Sequence, residues 1–172
     1  MADKETNTYI LVVGMGIVGN TIARFFQKCG KEVVVTDSDV TRTREAQKLS
    51  SSGIQTSLGP HDAAMFENAS MIVASPGVPL DIPALAAARS KGVKITGELD
   101  VIEGYISEPV VAVTGTNGKT TVTSLISDML KASGKTVFTC GNIGTPVAEY
   151  LLNDGKADVI VAEISSFQLD SS

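Results

Sequence analysis

The segment Gly115-Thr116-Asn117-Gly118-Lys119-Thr120-Thr121 lies between a β-branched apolar run, Val110 to Thr114, and a run with helical apolar spacing. A strand, a glycine turn and a helix in that order predict a parallel α/β unit. Such a turn aims backbone N–H groups at phosphate oxygens, and the helix behind it adds its positive N-terminal dipole. In that setting Lys119 reaches the outer phosphates as a point charge and the Thr120 hydroxyl ligates magnesium. The segment therefore predicts a nucleoside triphosphate loop spanning Gly115, Thr116, Asn117, Gly118, Lys119, Thr120 and Thr121. Val122, Leu125, Ile126, Met129 and Leu130 then describe the apolar face of an amphipathic helix, which Gly134 is placed to stop. The spacing is a variant, since the usual loop has a glycine at position 113, where this chain has Val113. A plain glycine turn would not require the strand, the helix and the Lys-Thr pair together.

A second glycine loop follows Tyr9-Ile10-Leu11-Val12-Val13, where Gly14-Met15-Gly16-Ile17-Val18-Gly19 has the spacing G-x-G-x-x-G. Val18, Ile22, Phe25, Phe26 and Cys29 line one side of the helix expected there, and Gly30 ends it. The next apolar run ends in Asp37, 18 residues beyond Gly19. In dinucleotide-binding folds a carboxylate so placed accepts ribose hydroxyl bonds, while the glycines let a pyrophosphate approach the helix N-terminus. This fingerprint alone does not separate NAD from another diphosphate nucleoside such as a UDP-sugar, and a tight β-α turn with Asp37 capping a loop is the simpler alternative.

Further strands deliver polar or glycine residues at their C-terminal ends: Met71 to Ala74 into Ser75-Pro76-Gly77, Thr136 to Thr139 into Gly141-Asn142-Ile143-Gly144, and Asp158 to Ala162 into Glu163 through Leu169. The alternation predicts strands at 9–13, 33–36, 54–57, 71–74 and 93–96, with helices at 17–29, 41–51 and 82–91. The expected fold class is α/β: a Rossmann-like doubly wound parallel sheet over 1–96, then over 97–172 the first part of a P-loop-type α/β ATP-binding domain. That second sheet is expected to carry an exposed edge. Small aliphatic residues suit such sheets, and the chain is 43% hydrophobic but only 5% aromatic, without tryptophan. A net charge of −5 with no basic patch argues against nucleic acid and anionic membranes as partners. Cys29 and Cys140 lack metal-type spacing and read as reduced thiols. No apolar stretch approaches the ~18 residues of a membrane span, and the polar opening Met1 to Thr8 is no signal peptide, which predicts a cytoplasmic protein. His61, in Gly59-Pro60-His61-Asp62, reads as a surface or helix-start residue rather than a ligand.

Two nucleotide-type loops in one short chain fit a ligase that activates a nucleotide-linked substrate with another nucleotide. The chain resembles the N-terminal part of the Mur ligase family, in its D-glutamate-adding branch. Gly115 to Thr121 carries the superfamily resemblance; the opening glycine loop, Ser75-Pro76-Gly77, Gly141-Asn142-Ile143-Gly144 and Glu163 through Leu169 carry that to the branch. The resemblance implies that the first domain holds the uridine diphosphate of UDP-N-acetylmuramoyl-L-alanine. Gly14, Gly16, Ile17 and Val18 would meet the diphosphate, Asp37 and Ser38 the uracil side, with Ser75 and Gly77 nearby and Asn142 and Gln168 facing the muramoyl group. It implies ATP and Mg2+ as cofactors, Lys119 and Glu163 as catalytic residues, and Thr120 and Glu163 at the metal. An acid at the end of a hydrophobic strand beside a phosphate loop suits that role on physical grounds too, the alternative being an ordinary solvent-facing glutamate. The implied reaction is ATP-dependent amide formation with D-glutamate through an acyl phosphate, in a monomer. Family members run further, with a histidine and a modified lysine for a second metal and a third domain, so the chain is expected to be a fragment that binds without turning over. Two other readings remain: an NAD(P)-binding Rossmann domain of an oxidoreductase or regulatory protein, which leaves the Lys119 loop idle, and a nucleotide-dependent switch, which leaves Gly14 to Gly19 and Ser75 to Pro79 unexplained.

Overall fold

The β-branched runs become two parallel sheets in the computed structural model, which describes residues 9–142 and 144–170. The opening Met1 to Thr8 and Ile143 of the Gly141 loop, both read above, lie outside the described residues. The first sheet contains β1 (Tyr9–Val13), β2 (Glu32–Asp37), β3 (Gln55–Leu58), β4 (Met71–Ala74) and β5 (Lys94–Thr96) in the order β3-β2-β1-β4-β5. Its helices are α1 (Ile17–Lys28), α2 (Thr43–Ser51), α3 (Ala63–Glu67) and α4 (Pro83–Ser90). After the linking helix α5 (Glu98–Glu103), a second sheet orders β6 (Val110–Val113), β8 (Val159–Glu163) and β7 (Val137–Gly141) as β6-β8-β7. Helices α6 (Lys119–Ala132), α7 (Ala148–Leu152) and α8 (Ser166–Asp170) accompany it.

Strand alternation sends β1 side chains to both faces, and each face is buried. Ile10 and Val12 join Ile22, Phe25, Phe26, Val35 and Leu49 in one cluster, whereas Leu11 and Val13 join Val34, Phe66, Ile72, Leu85 and Ala88 in another. The first cluster continues through Cys140, Val147, Ala148 and Tyr150 to Ile160 and Ala162 of the second sheet, so one apolar core runs under both. Helix α1 packs on α7 at this junction. Lys28 Nζ reinforces it, donating to Leu152 O at 2.8 Å and pairing with Asp154 at 2.7 Å.

Parallel register is what positions the loops. Val13 aligns with Thr36 of β2 and with Ala74 of β4, so the Gly14 loop, Asp37 and Ser75 emerge at one sheet edge. The sheet order reverses between β1 and β4, which opens a crevice there. In the second sheet Val113 and Gly141 both align with Glu163, so the Lys119 loop, the Gly141 loop and Glu163 share the other edge.

Two expectations are corrected. The face Val122-Leu125-Met129 of α6 points outward, at 45, 58 and 64% exposure, while Thr123 and Ser127 face the sheet. Small polar side chains allow that close approach, and Thr139 Oγ1 on β7 donates to Ser127 Oγ at 2.9 Å. Cys29 is exposed rather than part of the α1 apolar face, because the helix has already ended at Lys28. The one-turn helices α3, α7 and α8 are too short to show a period; only the Asp62 cap, which accepts from Ala64 N–H at 3.0 Å, marks α3 in the sequence. Cys140 is buried, and burial first, then the Glu98 charge, pushes its thiol up to about 12. Among the described residues no helix is long and apolar enough to cross a membrane.

Candidate nucleotide and substrate site

The Gly14 loop is pulled tight by its neighbours. Gly14 N–H donates to Thr36 O at 2.7 Å, and Met15 N–H donates to Asp37 Oδ2 at 2.6 Å. Asp39 N–H donates to the other Asp37 oxygen at 2.9 Å. Asp37 thus clips the loop to the end of β2, so it shapes the crevice as well as lining it. Asn20 Nδ2 donates to Met15 O and Gly16 O, at 2.6 and 2.8 Å, which ties the loop carbonyls to α1. No side chain caps α1 at Gly16, so the first-turn amides are left to a ligand or solvent. Gly19 is required by contact: a Cβ there would strike the Gly14 carbonyl oxygen and come within 2.7 Å of Ser75 Oγ.

A crevice of about 420 Å³ opens beside this loop, lined by Gly14, Gly16, Asp37, Ser38, Ser75 and Gly77, with Val78, Pro79 and Ile82 as an apolar wall. His61 and Arg42 line it too. The sequence reads His61 as a surface or helix-start residue; in the structure it lies next to Asp37 at the crevice wall. The signal that could have found it is positional: His61 follows the end of β3, whose Leu58 aligns with Asp37, so it falls at the same sheet edge. Its Nδ1 lies 3.3 Å from Thr36 Oγ1 and its ring packs on Phe66 at 5.1 Å between centroids. Burial lowers its pKa from the ordinary value, with the Asp37 charge opposing.

The second loop has a different character. Gly118, with φ 76°, takes the left-handed turn into α6, and Lys119 Nζ donates to Gly115 O at 2.8 Å, across the loop mouth. Thr116, Asn117 and Thr121 stand exposed around it. Glu163, 2% exposed at the end of β8, accepts the Thr120 hydroxyl at 2.7 Å on one oxygen and Asn142 Nδ2–H at 2.9 Å on the other. The solvent-facing alternative for Glu163 is thereby excluded. Gly141, with φ 107°, lies against the Glu163 backbone where a Cβ would collide with its carbonyl, and Asn142 N–H donates to that carbonyl at 2.8 Å.

The Asn142 amide, opposed in part by burial and aided by Thr120 and the Lys119 charge, holds the Glu163 carboxyl below its ordinary pKa. A depressed folded-state pKa contributes stability that is present above the unfolded value and lost as pH falls through the folded one. Asn142→Ala is therefore expected to move the acid-unfolding midpoint, followed by circular dichroism, to higher pH, and Thr120→Val to move it less. Equal midpoints in all three proteins would contradict this account of Glu163.

The start of α1 and the Gly141 loop meet in a third space. A cavity of about 140 Å³ is lined by Ile17, Val18 and Pro76 from the first sheet and by Gly141, Asn142, Gly144, Pro146 and Gln168 from the second. Ile17, the first residue of α1, reaches it at 72% exposure. Gln168 is 3% exposed, and its Oε1 accepts both Ser165 N–H and Ser165 Oγ–H at 3.0 Å.

Two parallel α/β sheets with glycine loops at their carboxyl edges, and a buried acid beside a Lys-Thr turn, place the chain among α/β proteins that work at strand ends. The model of the Mur ligase MurD-like N-terminal domain matches residues 8–97, and that of the Mur ligase middle domain matches residues 113–172. The chain belongs to the Mur ligase family. It is 48% identical, over 94% of its length and 36% of the relative's, to a UDP-N-acetylmuramoylalanine–D-glutamate ligase of Desulfatibacillum aliphaticivorans. It is 44% identical to one of Desulfosudis oleivorans, over 100% of the chain and 38% of that protein. The chain thus spans little more than a third of the length of these curated relatives. Among solved structures, a pseudomurein peptide ligase type C of Methanothermus fervidus aligns with a TM-score of 0.50 and 28% identity, over 92% of the chain and 33% of that protein. A UDP-N-acetylmuramate-alanine ligase of Thermotoga maritima shares the fold, with a TM-score of 0.55 at 24% identity over 91% of this chain and 37% of its own.

Proposed function

We propose that this chain is the substrate-holding part, and the beginning of the ATP-binding part, of a ligase that adds D-glutamate to UDP-N-acetylmuramoyl-L-alanine in cytoplasmic peptidoglycan precursor synthesis. Residues 1–96 form the UDP-substrate domain and 97–172 the start of the ATP domain. The observation that carries this reading is Asn142, which bonds Glu163 at 2.9 Å and also lines the cavity facing Ile17 and Val18. A substrate seated at the first loop is thereby brought to the nucleotide loop.

In this reading the crevice beside Asp37, Ser38, Ser75 and Gly77 takes the uridine, the amides behind Gly16 take the diphosphate, and Asn142 and Gln168 face the muramoyl group. Gly115 to Thr121 cradle the ATP phosphates. Thr120 and the ionised Glu163 suit Mg2+, which takes one or two protein oxygens and completes its shell with water and phosphate. The cation would neutralise phosphate charge; Lys119 adds a further positive charge as the substrate carboxylate attacks the γ-phosphorus and ADP leaves. The amine of D-glutamate then attacks the acyl phosphate carbonyl and releases phosphate. The chain's contribution is positioning and charge rather than covalent chemistry.

Calorimetric titration with UDP-N-acetylmuramoyl-L-alanine, UDP and NAD tests the reading. Saturable binding of both uridine ligands and none of NAD is expected. Asp37→Ala should weaken uridine binding by roughly tenfold, since the Met15 amide loses its charged acceptor and the loop its clip. Binding of NAD without response to either uridine ligand would move the chain to the dinucleotide-dependent proteins.

A further inference from the structure

Glu98 is 2% exposed and has no place in the roles above. It opens α5, immediately after the first sheet, yet both its oxygens are spent on the second. Oε1 accepts the Ala148 backbone N–H, at the start of α7, at 3.1 Å, and Oε2 accepts Gln168 Nε2–H at 3.4 Å. A carboxylate this deep is costly unless donors meet it, and an apolar side chain of its size would fill the space at less cost. What an apolar side chain would not do is orient the amide of Gln168. Ser165 holds the Gln168 oxygen and Glu98 its nitrogen, so the amide is clamped from both ends at the wall of the 140 Å³ cavity. Ile17 and Val18, in the first turn of α1, line the same cavity.

We propose that Glu98 is a positioning residue, which sets the Gln168 amide in the cavity between the two sheets so that recognition of the sugar-acid part of a UDP-linked substrate depends on the linking helix. The inference rests on the proposed function, and it separates two parts of one ligand. The uridine lies in the crevice at Asp37, which Glu98 does not line, whereas the remainder of the substrate reaches the Gln168 cavity.

The test compares UDP-N-acetylmuramoyl-L-alanine with UDP on the unaltered chain and on Glu98→Gln. The replacement has nearly the same shape, but its single oxygen serves one donor and its amide meets that of Gln168 donor against donor. The affinity for the whole substrate is expected to fall about tenfold while that for UDP stays within about twofold. A merely structural role would lower both together or neither, and an unchanged ratio of the two affinities overturns the proposal alone. Failure of the unaltered chain to bind either ligand overturns the proposed function and this inference with it. Should Glu98→Gln prove unfolded by circular dichroism, Glu98→Asp keeps the charge but withdraws it by one methylene from Gln168, and the same selective loss is expected. If neither variant folds, Glu98 is a requirement of folding and the positioning role falls.

Discussion

Lys119→Ala is expected to lower turnover by two decades or more in a full-length ligase carrying this segment, and to abolish most nucleotide affinity in the chain itself. Removing one preorganised electrostatic donor from a catalytic site costs about 10²–10³ in rate. Lys119 has the geometry of such a donor: it begins α6, beside the left-handed Gly118, and its ammonium lies 2.8 Å from Gly115 O, across the loop a phosphate would enter. Rotation of one side chain frees it for that phosphate. Lys119→Arg should recover little of the loss, because a planar fork does not occupy the place of a compact ammonium. The measurement is kcat under saturating substrates, with nucleotide titration of the chain beside it. A Lys119→Ala enzyme within threefold of the unaltered one would remove the loop from the chemistry.

Gly19→Ala carries the largest expected cost in stability, about 3 kcal/mol or more, because overpacking against backbone has no cheap escape. The added methyl would meet the Gly14 carbonyl oxygen head on and Ser75 Oγ at 2.7 Å. Yielding would mean displacing the β1–α1 turn, which Thr36, Asp37 and Asn20 hold by four hydrogen bonds, Gly14 N–H to Thr36 O, Met15 N–H to Asp37 and the Asn20 amide to Met15 O and Gly16 O. For a chain of this size the thermal midpoint should fall by about 6–12 °C. Gly16→Ala is the internal control: a Cβ there meets nothing within 4 Å and φ is −68°, so the expected change is about 0.5 kcal/mol or less. Equal midpoints for the two variants would show that the turn relaxes freely.

The contrast between these two glycines shows how far a pattern can be read. G-x-G-x-x-G marks the turn, but which of its glycines is sterically obligatory depends on how the turn is folded: a Cβ at Gly19 meets the Gly14 carbonyl oxygen first and the distant Ser75 Oγ second, whereas one at Gly16 meets nothing. The same holds for the Glu163 environment, where the strand end was legible and the Asn142 and Thr120 partners were a matter of sheet register. Helical spacing located α6 and its Gly134 stop, yet misjudged the buried face. Apolar periodicity reports which residues share a side, while burial depends on what lies opposite. In α6 the sheet receives Thr123 and Ser127. His61 reads as a surface or helix-start residue in the sequence for a related reason, since its neighbours Thr36, Asp37 and Phe66 come from β2 and α3.

By itself the sequence determined the local units: apolar β-branched runs that must be buried strands, glycines that must turn, and a Lys-Thr loop opening a helix. These follow from backbone sterics and side-chain period, which act over a few residues. The tertiary structure alone decided that the start of α1 and the Gly141 loop face one cavity, that Asp37, for which the sequence left ribose binding and loop capping both open, clips the Gly14 loop, and that Glu98 reaches Gln168 across 70 positions of chain. Such meetings are set by parallel register and by the packing of α1 on α7, where Thr21 approaches Glu149 across a separation of 128 residues. Contacts of that range leave no periodic trace in the sequence, because they depend on the shapes of whole buried faces rather than on the spacing of neighbours.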